Sequence, residues 1–437
     1  MTDQSQNKTI GFIGAGRIGR PLIRALLAAG FRVNVHDKHK SAAKDVLALG
    51  ANWAATPRDA ADDARAVITC LARPEHVWNC MMDATGALAG MSKGAVWINT
   101  STTDYHSSLQ IADAAKAKGV FSLEGPVSNL SHMGVDFGNS SIYCAGDHAG
   151  YIASKDILEA VTKISFFTGE IGTAQAVKLL TNLVFYGSVS LCGDCLAITQ
   201  SAGIPCHWMW EKIRSSKANS VAAAQFIPML LDGSYDTSCS LEIGVKDMSL
   251  TIALADELGV ALPLGRVVND RYAFAGEQIE QSENHLMVTR LSEDANGLII
   301  RITDFKAPSK YGSNPQFAQS DVMDTDAFGR VTPKLPPTYD APAFTPTPAQ
   351  QDVVDAVLVF MAETNHILNE EAIALGMGVG LEREAIKKMI IWSVGTNWVL
   401  ENPQAYTPTL QGGSNISTHI TSLKLPLIEA ALNVINA

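Results

Sequence analysis

Short apolar runs alternate with segments of helical apolar period through the first part of the chain. Each run has the length of a strand, whereas the segments between them place apolar residues every three to four positions, as amphipathic helices do. Strands are predicted over 10–13, 32–36, 66–71, 95–99, 120–123, 140–144 and 163–168, and helices over 41–49, 74–82, 105–117 and 150–160. This alternation predicts an α/β domain with a mostly parallel, doubly wound sheet.

A glycine-rich turn and a further amphipathic helix follow the first strand. The turn has the G-x-G-x-x-G spacing, in which the first glycine permits a tight turn, the second lets backbone approach a pyrophosphate and the third allows close helix packing. The N-terminus of the helix then presents N–H groups to the phosphates. The predicted cofactor-binding turn comprises Gly14, Gly16, Arg17, Ile18 and Gly19.

Asp37 ends the second strand, roughly 20 residues after the glycines, where a carboxylate can accept hydrogen bonds from an adenosine ribose. The same carboxylate would repel a 2′-phosphate, so Asp37 favours NAD over NADP. Lys38, His39 and Lys40 follow directly and weaken this preference. NAD is therefore the predicted cofactor, and NADP stays open.

The pattern changes to helices alone at Gly172. Apolar period without proline through Ala202 predicts one helix of about 30 residues, or roughly 45 Å, and further helices continue to Leu298. A stretch rich in proline and glycine then extends to Pro348 and is expected to be a linker or wrapping loop. The predicted domains are a dinucleotide-binding Rossmann domain at 8–171, an all-α domain at 172–298, the linker at 299–348 and a second helical domain at 349–437.

The last helical block is predicted to be a degenerate, partial copy of the first. The segment 194–205 matches 371–382 in helical pattern and closing glycine, and 243–254 matches 421–432 in period and in its lysine. Identity between the copies is low, so two unrelated amphipathic blocks are the alternative.

Composition narrows the class of partner. The net charge of −11 and pI of 5.4 argue against nucleic acid or an anionic membrane as a partner. The sequence shows no uninterrupted apolar run of spanning length and no secretory signal pattern. We therefore expect a cytoplasmic protein that acts on a small molecule.

Seven cysteines are scattered along the chain, mostly in apolar segments, which fits reduced thiols in a cytoplasm. Cys192 and Cys195 form a C-x-x-C pair upstream of Cys206, a spacing that invites a zinc or redox interpretation. Both lie inside a long helical pattern without a second C-x-x-C, so core cysteines are favoured and no metal site is predicted.

Lys178 and Asn182 lie four residues apart on the long predicted helix and therefore share one face. Desolvation beside a cationic nicotinamide would lower the pKa of a lysine toward a range useful for catalysis. Lys178 could then take a proton from a hydroxyl group, and Asn182 could orient that hydroxyl. A lysine that merely extends to solvent at a domain edge is the alternative.

Five motifs, in this order along the chain, give a family resemblance. They are GFIGAGRIG at 11–19, INTSTT at 98–103, GPVS at 125–128, GTAQAVKLLTN at 172–182 and KDMSLTIALADELGVALPL at 246–264. With them the chain resembles the β-hydroxyacid dehydrogenase family, which includes 3-hydroxyisobutyrate and tartronate semialdehyde dehydrogenases, and more distantly 6-phosphogluconate dehydrogenase.

The resemblance implies roles for further residues. Leu71 and Thr102 would flank the nicotinamide, and Lys246 would reach the cofactor from the helical domain. Lys178 would be the acid/base. Substrate would contact Thr102, Ser128, Asn129 and Asn182.

Several positions depart from the family pattern. Ser-Gly-Gly usually follows Pro-Val, but here Ser128 is followed by Asn129 and Leu130, so the grip on a substrate carboxylate and the pocket shape are expected to differ. Phe185 stands where the 6-phosphogluconate enzymes have a glutamate acid, which argues against decarboxylation of that sugar acid.

We therefore expect an NAD-dependent oxidoreductase that interconverts a 3-hydroxy acid, or a similar small alcohol, with its carbonyl. An imine reductase and a non-catalytic nucleotide-binding protein are the alternatives. The resemblance also implies a homodimer formed by helical domains, unless the C-terminal copy replaces the partner's helices within one chain. Aligned on Gly203 and Gly380, that copy has Asp355 for Lys178 and Val359 for Asn182, and is expected to be catalytically silent.

Overall fold

A computed structural model describes residues 7–129, 140–235, 239–305, 323–325, 331–333, 343–407 and 423–436. The chain forms two compact units, Met1–Lys178 and Leu179–Ala437. The boundary between the units lies within the long helix that the sequence predicts. The predicted domain limits themselves stay predictions.

The first unit is built on a nine-stranded sheet with helices between its strands. The strands are β1 (Thr9–Ile13), β2 (Arg32–His36), β3 (Asn52–Trp53), β4 (Ala66–Thr69), β5 (Val96–Asn99), β6 (Phe121–Glu124), β7 (Val127–Asn129), β8 (Ser140–Gly146) and β9 (Ile164–Gly169). The helices are α1 (Gly19–Ala28), α2 (Lys44–Ala48), α3 (Pro57–Ala61), α4 (Pro74–Met82), α5 (Ala87–Gly90), α6 (Tyr105–Ala117), α7 (His148–Ala153) and α8 (Lys155–Val161).

The strand order β3-β2-β1-β4-β5-β6 is parallel throughout. It is the order of the Rossmann fold, in which the chain reverses direction of winding beside the first strand. The predicted doubly wound sheet is thus confirmed, and the carboxyl ends of β1, β4 and β5 meet at one edge.

The far edge of the sheet differs from the prediction. β8 runs antiparallel to β6 and β7, and β9 is parallel to β8. β7 has only three residues, too few for a periodic apolar pattern, and it was not predicted. The predicted helix over 150–160 is interrupted at Ser154, so that α7 and α8 are separate helices.

Apolar side chains alternate between the two faces of the sheet. Ile10, Phe12 and Val35 belong to a buried cluster on one face, whereas Ile13 and Trp97 belong to a cluster on the other. Because both faces of the sheet carry apolar side chains, helices must cover both faces. The helices between successive strands provide this cover.

Helices form nearly all of the described part of the second unit. They are α9 (Thr173–Ser201, which begins in the first unit), α10 (Cys206–Arg214), α11 (Ile227–Leu231), α12 (Leu241–Leu258), α13 (Pro263–Gln278), α14 (Arg290–Asn296), α15 (Pro348–Gly378), α16 (Arg383–Ile391), α17 (Trp398–Glu401) and α18 (Pro426–Asn436). A two-stranded antiparallel pair, β10 (Met323–Thr325) with β11 (Val331–Pro333), lies within the predicted linker, most of which is outside the described residues.

α9 is the central helix of this unit. By length and composition it could cross a membrane, but its most apolar stretch is completely buried inside the protein. Burial on all sides is typical of the core helix of a globular protein. No stretch of the chain was predicted to be apolar enough to span a membrane, and α9 corrects that prediction. Its burial shows that it belongs to the protein core.

Candidate active site

The glycine turn has the conformation that its spacing predicts. Gly14 has φ of 106°, and a side chain on it would overlap the carbonyl oxygen of Cys70 after β4. A side chain on Gly19 would overlap the carbonyl oxygen of Gly14, so α1 packs directly on the turn. Gly16 is exposed, and nothing lies within 4 Å of the position of its missing Cβ. The turn therefore leaves an open place for a pyrophosphate beside Gly16, at the start of α1.

Arg17 and Ile18 complete the turn before α1. Arg17 is exposed and Ile18 is partly buried, with Ile18 in the N-cap position and no side-chain capping bond there. The first turn of α1 contains no acidic residue. No acidic side chain of this turn therefore competes with an anionic ligand for the N–H groups at the positive end of the helix dipole.

The carboxylate of Asp37 is held by backbone N–H groups at the end of β2. Its Oδ2 accepts a hydrogen bond from Ala15 N at 2.8 Å, and its Oδ1 accepts one from His39 N at 2.8 Å. Asp37 is thereby fixed against the glycine turn, where a ribose hydroxyl could bind. Lys40 lies over the ring of Trp53, 5.5 Å from its centroid.

Leu71 and Thr102 lie in the loops after β4 and β5, which Ser101 joins. Ser101 Oγ accepts a hydrogen bond from Leu71 N at 2.9 Å. Asn99 Oδ1 accepts bonds from Ser101 N at 3.1 Å and from Thr69 Oγ1 at 3.0 Å. The structure thus brings the two predicted nicotinamide neighbours to adjacent loops at the carboxyl edge of the sheet.

Gln175 fastens the first turn of α9 to the loop that carries Thr102. Its Oε1 accepts a hydrogen bond from Thr103 N at 3.2 Å, and its Nε2 donates to Ser101 O at 3.0 Å. Gln175 is buried, and both bonds bracket Thr102. Lys178 follows three residues later on the same helix face and is partly buried. The candidate acid/base therefore lies one helical turn beyond an anchor to the Thr102 loop.

Glu124, at the end of β6, caps the start of α9. Its Oε2 accepts a hydrogen bond from Gly172 N at 2.9 Å. Burial raises the pKa of the Glu124 carboxyl from its ordinary value of 4.5 to about 7, although backbone N–H groups around Gly172 lower it in part. Glu124 thus holds the helix that carries Lys178, and its charge depends on pH in the neutral range.

A pH dependence of stability follows from Glu124. Because its pKa is raised in the folded state, the folded protein binds a proton between about pH 4.5 and about pH 7 that the unfolded chain has released. This contribution to stability is therefore lost as pH rises through that window. We expect Glu124→Gln to reduce the fall in Tm between about pH 5 and about pH 8. Glu159→Gln, at an exposed position of α8, is the control; an unchanged slope in Glu124→Gln would contradict the assignment.

Ser128 and Asn129 lie in β7. Ser128 is buried and pairs with Ser141 of β8, and Asn129 pairs with Ser140. The altered segment that begins with Leu130 lies outside the described residues. The predicted change in pocket shape therefore stays a prediction.

In the second unit, Asp247 joins Asn182 to Lys246. Asn182 Nδ2 donates to Asp247 Oδ2 at 2.7 Å, and Lys246 Nζ lies 2.8 Å from Asp247 Oδ1. Tyr186 OH donates a longer bond of 3.3 Å to Oδ2. Asp247 is buried, and it fixes which way the amide of Asn182 points. The family resemblance implies a substrate contact for Asn182 and a cofactor contact for Lys246, and these two residues share one carboxylate.

Replacing Asp247 tests this shared carboxylate. Asp247→Asn keeps the shape of the side chain but removes the charge that faces Lys246, and hydrogen bonds to charged groups contribute about 1.5–3 kcal/mol. We expect kcat/KM to fall by about tenfold or more. Tyr186→Phe removes only the longer bond and should change kcat/KM little. Equal losses in both variants would contradict a specific role for Asp247.

Four further residues of the site were not predicted from the sequence: Ser101, Glu124, Gln175 and Asp247. Gln175 was visible as a polar residue one turn before Lys178, and Asp247 as the residue next to Lys246. Their partners lie far along the chain, so spacing alone could not identify them.

The cysteine pair behaves as the sequence predicts. Cys192, Cys195 and Cys206 are buried free thiols. Burial raises the pKa of the Cys192 thiol to about 12 and holds the pKa of Cys195 well above its usual range, so both thiols are protonated at neutral pH. Within the described ranges, no group of three His, Cys, Asp or Glu side chains could hold a metal ion.

Two sequence models of known families match adjacent parts of the chain. The NAD binding domain of 6-phosphogluconate dehydrogenase matches residues 9–172, and the NAD-binding domain of NADP-dependent 3-hydroxyisobutyrate dehydrogenase matches residues 172–292. The two matches meet at residue 172, directly before α9 begins.

Individual proteins match the same region. Glyoxylate/succinic semialdehyde reductase 2, chloroplastic, of Arabidopsis thaliana is 28% identical over 273 residues, which are 62% of this chain and 76% of that protein. A crystal structure of 3-hydroxyisobutyrate dehydrogenase from Salmonella typhimurium is 24% identical with a TM-score of 0.61, covering 65% of this chain and 99% of that one. Psf3 in complex with NADP+ is 23% identical with a TM-score of 0.61, covering 64% and 99%.

The Rossmann order and the open glycine turn, with these matches, define an NAD(P)-binding oxidoreductase. Within that class, residues 9–292 belong to the β-hydroxyacid dehydrogenase family, the 3-hydroxyisobutyrate dehydrogenase-like oxidoreductases. The family resemblance that the five motifs gave is confirmed.

Proposed function

We propose that the protein interconverts a 3-hydroxy acid, or a similar small alcohol, with its carbonyl, using NAD and with Lys178 as the general acid/base. The anchoring of Lys178 supports this most directly. Gln175, one turn earlier, brackets Thr102 with two hydrogen bonds at the carboxyl edge of the sheet, the edge at which Rossmann domains bind the reacting part of the cofactor.

The bound nicotinamide would accept or return the hydride. In the oxidising direction the hydroxyl proton passes to the Lys178 amine while the carbon–hydrogen bond breaks, and a carbonyl forms. In the reducing direction the Lys178 ammonium returns the proton to the carbonyl oxygen. Thr102, Ser128, Asn129 and Asn182 would position the substrate, and Lys246 would contact the cofactor.

A substrate panel tests the proposal. The purified protein would be assayed with 3-hydroxy acids and with cyclic imines, each with NAD or NADP, by following the absorbance of the reduced cofactor. Turnover of a hydroxy acid supports the proposal. Turnover of imines alone would identify an imine reductase, and cofactor binding without any turnover would identify a non-catalytic protein; both results would overturn it.

Asp37 is proposed to select NAD. Two unit charges 4 Å apart near a protein surface interact by about 1–4 kcal/mol, so the carboxylate penalises a 2′-phosphate by at least several-fold. We expect Asp37→Asn to shift the ratio of kcat/KM values toward NADP by about tenfold. Asp45→Asn, an exposed change on neighbouring α2, should leave the ratio unchanged. A preference for NADP in the unaltered protein would contradict the assignment.

A further inference from the structure

Two stretches of the helical unit repeat each other at an offset of 177 residues. Adding this offset to the first and last residues of α10 (Cys206–Arg214) gives the first and last residues of α16 (Arg383–Ile391). The same offset relates the last residues of α9 and α15, Ser201 and Gly378. The glycines that follow these long helices, Gly203 and Gly380, both adopt a left-handed conformation with φ of 69° and 87°.

Hydrogen bonds in the two turns also correspond. Gly203 N donates to Gln200 O, and Gly380 N donates to Met377 O. One residue later Ile204 N donates to Thr199 O, as Leu381 N does to Gly376 O. These bonds close a helix at a left-handed glycine, so they establish the same ending in both stretches but not a common origin.

The segments after α10 and α16 share a further pattern of side-chain hydrogen bonds. Ser216 Oγ donates to Ile213 O and accepts from Ala218 N. Ser393 Oγ likewise donates to Ile390 O and accepts from Gly395 N.

The next turn repeats as well. Ser220 Oγ accepts from Ala223 N at 3.1 Å, and Asn397 Oδ1 accepts from Leu400 N at 3.1 Å. Every partner in these six bonds, three in each stretch, is displaced by the same offset as the helices, so residues 173–224 and 350–401 correspond position by position.

The two copies meet at equivalent positions. Ser220 pairs with Asn397 in an antiparallel bridge. Val221 N donates to Thr396 O at 3.0 Å, and Trp398 N donates to Asn219 O at 2.8 Å. Exchanging the copies converts one of these bonds into the other, which is the property of a two-fold axis.

A second contact lies on the same axis. Ser188 of α9 donates to Asn365 of α15 at 2.9 Å, and these residues are again 177 apart. Both side chains are buried. Beside them, a side chain on Gly187 would lie 2.7 Å from Leu368, so the two helices cross in close contact.

We propose that residues 350–401 are a second copy of 173–224, and that the copies pair within one chain about this local two-fold axis. The copy occupies the face through which a second identical chain would otherwise pair, because an isologous interface brings equivalent positions together. The protein is therefore a monomer with an internal pseudo-dimer. This inference is independent of the proposed function.

The copy carries no second catalytic site. Asp355 and Val359 replace Lys178 and Asn182, and both are exposed. Gly203 and Ser216, which shape the turns, recur instead as Gly380 and Ser393, and the backbone bonds at the axis are the same in both copies. The copy thus retains the bonds that pair the two stretches and lacks the candidate catalytic residues.

A cysteine pair on the axis tests whether the pairing is within one chain. Ser220 and Asn397 are a non-hydrogen-bonded antiparallel pair, for which Cα atoms lie about 4.5 Å apart, a separation that accepts a disulfide. We expect oxidised Ser220→Cys/Asn397→Cys to form an intrachain disulfide, located by mass spectrometry of proteolytic peptides. Each single variant and the oxidised unaltered protein should lack it. A disulfide between chains would overturn the proposal.

The mass in solution supplies the second measurement, and it needs no variant. Light scattering of the unaltered protein at micromolar concentration should give the chain mass of 46.6 kDa. Twice that mass would overturn the inference that the copy replaces a partner subunit, even if the disulfide forms within one chain. A monomeric mass together with the intrachain disulfide supports both the pairing of the copies within one chain and the replacement of a partner subunit.

Discussion

Replacing Lys178 with alanine is expected to lower kcat by about 10²–10⁴-fold, the range of positioned general acid–base assistance. The reason is that the hydroxyl proton would have no acceptor when the hydride leaves. Dissociation constants for NAD should change little, because the turn at Gly14, Gly16 and Gly19 and the carboxylate of Asp37 are separate from α9. Steady-state kinetics with the best substrate of the panel, and calorimetry with NAD, provide the measurements.

Lys178→Arg separates proton transfer from charge. Arginine keeps a positive group at this place but is not deprotonated in proteins, so it cannot take the proton. We expect it to restore little of the lost kcat. Lys387→Ala, on α16, is a matched control with normal kinetics. An alanine variant that kept most of its turnover would refute the role of Lys178. An active arginine variant would show that the positive charge, and not proton transfer, is what Lys178 contributes.

Local spacing was sufficient for the first half of the Rossmann sheet. Gly14 has a positive φ, and a side chain on Gly19 would overlap the carbonyl oxygen of Gly14 in the same turn. These local requirements place both glycines, so their spacing identifies the turn without a structure. Asp37 was predicted from the end of β2, but its bond to Ala15 N depends on how the strand and the turn come together. Spacing thus predicted the groups and not the contacts that hold them.

The far sheet edge and the supporting side chains depended on tertiary structure. β7 is too short to show a period, and its pairing with β8 reverses the parallel pattern. Gln175 and Asp247 act through partners about 70 residues away (Thr103 and Asn182). A polar residue beside a candidate catalytic residue was the sole local signal, and such residues are common on any helix.

The C-terminal block illustrates the opposite case, in which structure strengthens a weak sequence signal. Two glycines and a helical period predicted a copy, with two unrelated amphipathic blocks as the alternative. Serine and asparagine side chains at Ser216 and Ser393, and at Ser220 and Asn397, make matching bonds at one offset. Low sequence identity is compatible with a common structure of the two stretches, because only a few side chains take part in the matching bonds.

The third glycine of the turn gives the second large effect. In Gly19→Ala the new methyl group would overlap the carbonyl oxygen of Gly14, which belongs to backbone and cannot rotate away. Forcing extra atoms into a packed site costs about 1–3 kcal/mol and occasionally more. We expect a destabilisation of about 3 kcal/mol together with loss of measurable NAD binding, because the displaced turn no longer presents its N–H groups. Denaturant unfolding and calorimetric titration give the two values.

Gly16→Ala is the matched control within the same turn. Nothing lies within 4 Å of its new methyl group, and its φ is not in the left-handed range, so the free energy of unfolding should stay equal or rise by about 0.4–1 kcal/mol. The methyl group would instead occupy the place of the pyrophosphate, and NAD affinity should fall by about tenfold or more, since 1.4 kcal/mol corresponds to one factor of ten. Gly19 thus holds the turn, whereas Gly16 leaves room for the cofactor. Normal NAD affinity in Gly16→Ala would show that the dinucleotide does not bind along this turn, whatever the fate of Gly19→Ala.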